Sequence, residues 1–152
     1  MGERKVNLRV AATLIDKEIG KIVKSSHVYE TQPWGKKDQD FFLNQVVMAN
    51  TTLDPRELLE AITKIEREMG RQRTEKWGPR LIDIDILFYG KRVVRDKGLE
   101  IPHPEIQERA FVLVPMMEIA PEFEHPILKK PIDELYMECT DDSTVVMLGE
   151  WK

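Results

Sequence analysis

The sequence is almost without cysteine. Cys139 is the only one in 152 residues, which excludes an internal disulfide. No His or Cys stands near it at metal-binding spacing, so it reads as a small buried or half-buried thiol in a reducing, cytoplasmic setting. Long apolar runs are also missing. Nothing approaches the roughly 18 residues of a membrane-spanning helix, and no signal-peptide pattern opens the chain. No internal repeat, low-complexity tract or Pro/Gly/Ser linker divides it, so residues 1–152 read as one domain. Positive charge is short as well: the net charge is −4, and no strand carries the aromatic pattern of an RNA-binding module, which argues against a nucleic-acid partner. No Ser-His-Asp or Cys-His arrangement points to a covalent nucleophile.

What is present is a globular composition, 41% hydrophobic and 33% charged. Residues 5–19 read as a helix, with Leu8, Ala11, Ala12, Ile15 and Ile19 on one face and Gly20 as its stop. Residues 22–31 read as a strand, 32–40 as a polar loop and 41–53, rich in β-branched and aromatic residues, as a second strand. The clearest helix starts at Asp54: Pro55 suits the first position, Glu57 completes a capping box, and Leu58, Ile62, Ile65 and Met69 form an apolar stripe that ends at Gly70. A basic loop, 71–80, leads into the strand 78–90, which Gly90 turns into a hairpin with 91–96. Residues 100–123 read as a loop, a short helical turn and a mostly buried helix, and 131–139 as another helix. This order predicts an α+β fold with helices packed on a sheet.

The strand "GPRLIDIDILFYG" sets Asp83 and Asp85 one residue apart in an otherwise apolar run. Side chains alternate along a strand, so both project to one face with Ile82, Ile84 and Ile86 on the other, and their Cα atoms stand roughly 6.5–7 Å apart. Two carboxylates so placed repel unless a cation or protons intervene. One reading is a solvated outer face. The other is a divalent-cation site, because Mg²⁺ takes one or two carboxylates and completes its shell with water and substrate phosphates. The preceding loop favours the second: Arg71, Arg73, Lys76 and Arg80 crowd four cations into ten residues of an acidic chain, and arginine forks bind phosphate oxygens. Trp77 either stacks on a flat ring or anchors the loop.

The run Trp77-Gly78-Pro79-Arg80-Leu81-Ile82-Asp83-Ile84-Asp85-Ile86-Leu87 closely resembles the signature of the 6-hydroxymethyl-7,8-dihydropterin pyrophosphokinases. "YETQPWG", "FLNQVV", "IEREMGRQR", "IPHPEIQERAFVLVP" and "EIAPE" extend the resemblance in order along essentially the whole chain. It implies a ferredoxin-like antiparallel sheet with helices on its faces. It also implies an enzyme of folate biosynthesis that transfers pyrophosphate from ATP to 6-hydroxymethyl-7,8-dihydropterin, with two Mg²⁺ ions, as a monomer without membrane partners. By that resemblance Asp83 and Asp85 are the metal ligands. Arg73 and Arg80 contact the triphosphate, and Trp77 closes over the site. Glu66, Ile86, His103 and Arg109 contact the nucleotide, and Thr31, Trp34, Phe42, Asn44 and Phe111 hold the pterin. The chemistry agrees: a flat heterobicycle suits aromatic faces, and its edge suits an amide with both donor and acceptor. His27 and His125 match no functional position and read as surface or edge residues.

The chain departs from the family pattern in places. Thr63 stands where a glutamine is usual, and Phe42 where a tyrosine is often found. The family also begins with a strand ending in a Gly-Ser-Asn turn, and Met1 aligns just after it. The expectation is that this central strand is missing, leaving open strand edges and a less stable chain. A non-catalytic nucleotide- or pterin-binding protein derived from the family is the alternative reading.

Overall fold

The computed structural model describes residues 2–32, 41–70 and 82–149. In chain order the elements are α1 (Gly2–Glu18), β1 (Ile22–Ser25), β2 (Tyr29–Gln32), β3 (Phe42–Asn44), β4 (Val47–Ala49), α2 (Pro55–Gly70), β5 (Val94–Asp96), β6 (Leu99–Ile101), a 3₁₀ turn (Ile106–Glu108), α3 (Ala110–Ile119), α4 (Ile132–Glu138) and β7 (Thr144–Met147). Among the described residues the strands form three small sheets, ordered β1-β4, β3-β2-β7 and β5-β6. The chain divides into two compact units, residues 1–24 with 47–86, and residues 25–46 with 87–152.

In the first unit α2 forms as its sequence dictates. The Asp54 side chain accepts the Glu57 N–H at 2.8 Å while the Glu57 carboxylate accepts the Asp54 N–H at 2.9 Å, a reciprocal capping box. Leu58, Ile62, Ile65 and Met69 are buried along one stripe. Ile65 and Met69 pack with Ala11 of α1, and Val10, Leu14, Ile15, Ile19, Ile82 and Ile84 gather around them. Gly20 does more than stop α1: a Cβ there would collide with the Asn50 carbonyl, so the close approach of these two segments requires glycine. The Thr51 hydroxyl donates to the Ile19 carbonyl at 2.7 Å, satisfying a helix end.

In the second unit the core is Ile106, Val112, Leu113, Met116, Ile132 and Leu135, contributed by the 3₁₀ turn, α3 and α4. The central strand β2 is antiparallel to both neighbours. Tyr29 lies opposite Asn44 and Thr31 opposite Phe42, while Tyr29 and Thr31 face Met147 and Val145 on the other side. Directly opposed residues share a sheet face, as do residues two apart. Tyr29, Thr31, Phe42 and Asn44 therefore project together, and Tyr29 and Thr31 are buried on that face.

Five expectations are corrected. The strand at 22–31 is two strands, broken at Ser26–Val28, and the strand at 41–53 is two strands, broken at Gln45–Val46. The breaks answer each other: the Ser26 N–H donates to the Val46 carbonyl at 2.8 Å, the Val46 N–H to the Ser26 hydroxyl at 3.0 Å, and the Gln45 amide to the Ser26 carbonyl at 2.9 Å. Serine offering its side chain to the backbone competes with a continuous ladder. The described part of the acid run, 82–89, belongs to no strand; the Ile84 N–H goes to the Glu66 side chain and the Leu87 carbonyl to the His103 N–H. β5 pairs with β6 through a turn at Lys97-Gly98, not with the acid run; Gly98 sits at φ 73°, where glycine is favoured. Finally, His125 is buried, with its Nδ1 accepting the N–H groups of Ile127 and Leu128 at 3.2 and 3.1 Å. Strand β7 carried no prior expectation.

Candidate active site

The first unit holds the acid run. From Ile82 to Ile86 exposure alternates, with Asp83 and Asp85 exposed and the isoleucines between them partly covered. Ile82 and Ile84 pack against the α1–α2 core, so the two acids turn away from it together, as their spacing predicts. The period of two persists without a ladder because apolar burial sets it. Glu66, projecting from α2 beside the buried stripe, accepts the Ile84 N–H on Oε2 at 2.8 Å. The residue between the two acids is thereby fixed by a charge-assisted hydrogen bond. Two exposed carboxylates on one side suit a hard cation that keeps much of its water and takes phosphate oxygens. Among the described residues no group of three or more His, Cys, Asp or Glu side chains forms an all-protein metal cage.

The second unit holds the other described candidates. Thr31 is 1% exposed, and its Oγ1 and the Nδ2 of Asn44 are buried without a hydrogen-bond partner. Both lie on the strand face defined above. A buried donor or acceptor left unpaired costs about 1–3 kcal/mol, so two on one face make it a candidate surface for a polar ligand. Phe42, at the edge of this face, meets Phe111 of α3 edge-to-face with centroids 5.9 Å apart and planes at 84°. The Arg109 guanidinium stands 5.5 Å from the Phe111 ring centre and pairs with Glu105 at 2.9 Å. His103 donates its N–H to the Leu87 carbonyl at 3.0 Å and accepts the Glu105 N–H on Nδ1 at 3.2 Å. In the neutral ring that leaves Nε2 carrying the proton.

Three contributors were not anticipated. Asp141 accepts the Ala110 N–H at 2.9 Å at the start of α3, and Ser143 at 3.0 Å through its N–H and 2.7 Å through its hydroxyl. Burial pushes the Asp141 carboxyl up, but the Ser143 and Ala110 donors outweigh it and hold it below its ordinary value. Glu118, on α3, accepts the Tyr29 hydroxyl at 2.8 Å and the His27 ring Nδ1 at 2.8 Å. Burial, then the hydrogen bond to Glu118 and its negative charge, push the Tyr29 hydroxyl up to about 12. Burial raises the Glu118 carboxyl, and the His27 and Tyr29 donors overcome it to leave it lowered. Tyr29 and Glu118 stand 89 positions apart, so no local pattern pairs them. The expected roles of Arg73, Trp77, Arg80 and Trp34 fall outside the described residues.

The fold places the chain among known α+β architectures. It aligns with the crystal structure of Plasmodium falciparum HPPK-DHPS, wild type with SDX-DHP, at a TM-score of 0.65 and 19% identity, over 88% of this chain and 40% of that longer one. The sequence is more specific. The family model described as 7,8-dihydro-6-hydroxymethylpterin-pyrophosphokinase matches residues 1–121. The 2-amino-4-hydroxy-6-hydroxymethyldihydropteridine pyrophosphokinase of Aquifex aeolicus is 49% identical over 123 residues, 81% of this chain and 77% of that protein. That of Bacillus subtilis is 40% identical over 135 residues, 88% of this chain and 81% of that protein. The chain belongs to the 7,8-dihydro-6-hydroxymethylpterin-pyrophosphokinase family. Every candidate site residue lies within the matched segment, and Asp141, His125 and β7 lie beyond it.

Proposed function

We propose that the chain transfers pyrophosphate from ATP to 6-hydroxymethyl-7,8-dihydropterin in folate biosynthesis, with residues 1–152 acting as one cytoplasmic, monomeric, Mg²⁺-dependent catalytic domain. The observation that carries the substrate is the pair of buried, unpartnered polar atoms, Thr31 Oγ1 and Asn44 Nδ2, beside two phenylalanine rings. A pterin edge offers the complementary donors and acceptors, and its flat faces suit Phe42 and Phe111. In the structure these two rings touch edge-on, so admitting a flat ring between them requires one to turn. Phe42, 40% exposed, is the one free to do so, since exposed side chains change rotamer in picoseconds to nanoseconds.

In the reaction the substrate hydroxymethyl oxygen attacks the β-phosphorus of ATP in line. The new O–P bond forms as the bond from the β-phosphorus to the α–β bridging oxygen breaks. AMP departs with those electrons, and the hydroxyl proton passes to solvent. Catalysis of this kind rests on positioning and charge stabilisation more than on covalent chemistry. Asp83 and Asp85 would hold Mg²⁺, two ions by the family pattern, which when bound neutralises phosphate charge and eases loss of the hydroxyl proton. Glu66 keeps the backbone between the acids in place. Arg73 and Arg80 take up phosphate charge, Trp77 closes over the site and Trp34 lines the pterin. Ile86, His103 and Arg109 meet the nucleotide, His103 with its Nε2–H available as a donor.

The test is direct. Protein incubated with ATP, Mg²⁺ and the pterin alcohol should release AMP and pterin diphosphate in equal amounts. Binding of both ligands without AMP would establish the non-catalytic alternative, and failure to bind the pterin would overturn the reading.

A further inference from the structure

Helix α3 is apolar along its buried side, with Val112, Leu113, Met116 and Ile119 all inside, yet it carries Glu118 against β2. That carboxylate is committed to the strand and its approach. Oε1 accepts the Tyr29 hydroxyl at 2.8 Å and the His27 N–H at 3.0 Å, while Oε2 accepts His27 Nδ1 at 2.8 Å and the same N–H at 3.2 Å. Apolar packing alone would cover β2 without such a device, and it would tolerate sliding, since hydrophobic contact is non-directional. Hydrogen bonds to a carboxylate are directional and short. They act on the very face that carries the unpartnered atoms: Tyr29 is opposite Asn44 and two residues from Thr31. At the other end of α3 the Asp141 carboxylate holds the Ala110 N–H, one residue from Phe111.

We infer that Glu118 and Tyr29 are positioning residues for the ring-binding face. The hydroxyl–carboxylate contact sets the register between β2, which carries Thr31 and lies beside Asn44, and α3, which carries Phe111. The polar edge contacts and the aromatic face are thereby presented to one flat ligand at the same time. The inference rests on the pterin reading above. A misplacement of about 1 Å in such a constellation costs up to about 100-fold in effective alignment, so a contact that prevents it has a function even without touching the ligand.

The variants Tyr29→Phe, which keeps the buried ring, and Glu118→Gln, which keeps the shape, test this. Pterin affinity is measured by titration calorimetry on the full chain, alongside affinity for a non-hydrolysable Mg-ATP analogue, steady-state KM and kcat, and the melting temperature. Each variant should weaken pterin binding about tenfold and raise the pterin KM similarly, with analogue affinity and kcat at saturation unchanged. Wild-type protein that does not bind pterin would overturn the pterin reading and this inference with it. Wild-type protein that binds, with both variants binding equally well, would overturn the inference alone, even if their melting temperatures fall. Equal losses for pterin and nucleotide would also overturn it, because that is the signature of a purely structural contact.

Discussion

The two units solve opposite problems with polar groups. In the first, Asp83 and Asp85 are charged and exposed, supported from behind by Ile82 and Ile84 and by the Glu66 clamp on Ile84. In the second, Thr31 and Asn44 are neutral, and their key atoms are buried without partners. The difference follows from the ligands proposed for them. Carboxylates that exchange metal ions and phosphates must stay hydrated, because a buried pair of like charges is ruinous. Groups that recognise the edge of a flat neutral ring gain from burial, because there an unmatched ligand leaves them unpaired and is rejected strongly.

The largest effect expected of this contrast is at the acids. Asp83→Ala or Asp85→Ala should lower AMP formation by at least about 100-fold, the scale on which loss of one charge-stabilising group acts. The fold should stay intact or slightly more stable, since like-charge repulsion is relieved. Full activity in either variant would remove the acids from the mechanism. In the second unit the pattern should differ. Asn44→Ala should weaken pterin binding about 10- to 100-fold, and Thr31→Val should weaken it while raising stability by about 1 kcal/mol, because an unpaired hydroxyl leaves the interior. A Thr31→Val protein that is less stable than the parent would show that the hydroxyl has a partner after all.

Some of this was readable from residues and some was not. The capping box at Asp54 and Glu57 is written within four positions, and the structure reproduces it bond for bond. The same-side placement of Asp83 and Asp85 was equally legible, because alternation needs only the apolar residues between them. Whether that run joins a ladder was not, since partners come from distant segments. The breaks at Ser26–Val28 and Gln45–Val46 were hidden for the same reason: each stretch is uniformly β-prone, and what interrupts it is a set of bonds between the two. Asn44 was singled out only through the family resemblance, as an amide suited to a ring edge, and its Nδ2 is buried without a partner. The contact of Glu118 with Tyr29, 89 positions away, could be found only by folding the chain.

Smaller effects sharpen the contrast further. Glu66→Ala should cost about 1–2 kcal/mol by releasing the Ile84 N–H, measured by urea denaturation, and should lower turnover more than pterin affinity. An equal loss in pterin affinity would mean that the clamp serves both regions. The smallest effect concerns pH. Burial lowers the His125 pKa from 6.5, so the folded state prefers the neutral ring, whose Nδ1 accepts two backbone N–H groups. Its stabilisation is present above pH 6.5 and is lost as pH falls through the lower folded value. The melting temperature should drop by a few degrees from pH 7 to 5, and His125→Gln, which cannot titrate, should flatten that slope.

The division of the chain also bears on its synthesis. Neither unit is a continuous segment: residues 25–46 belong with 87–152, while 47–86 close the other unit around 1–24. As the polypeptide leaves the ribosome, the acid-bearing unit has all its parts once residue 86 has emerged. At that moment strand β2, which carries Thr31 and pairs with the strand of Asn44, still lacks helix α3 and its other hydrogen-bonded neighbour, β7. That interval is when these strands are exposed to wrong pairings. Nascent chains arrested just after residue 86 has left the ribosome should therefore protect α2 from proteases while leaving β2 and β3 open to cleavage.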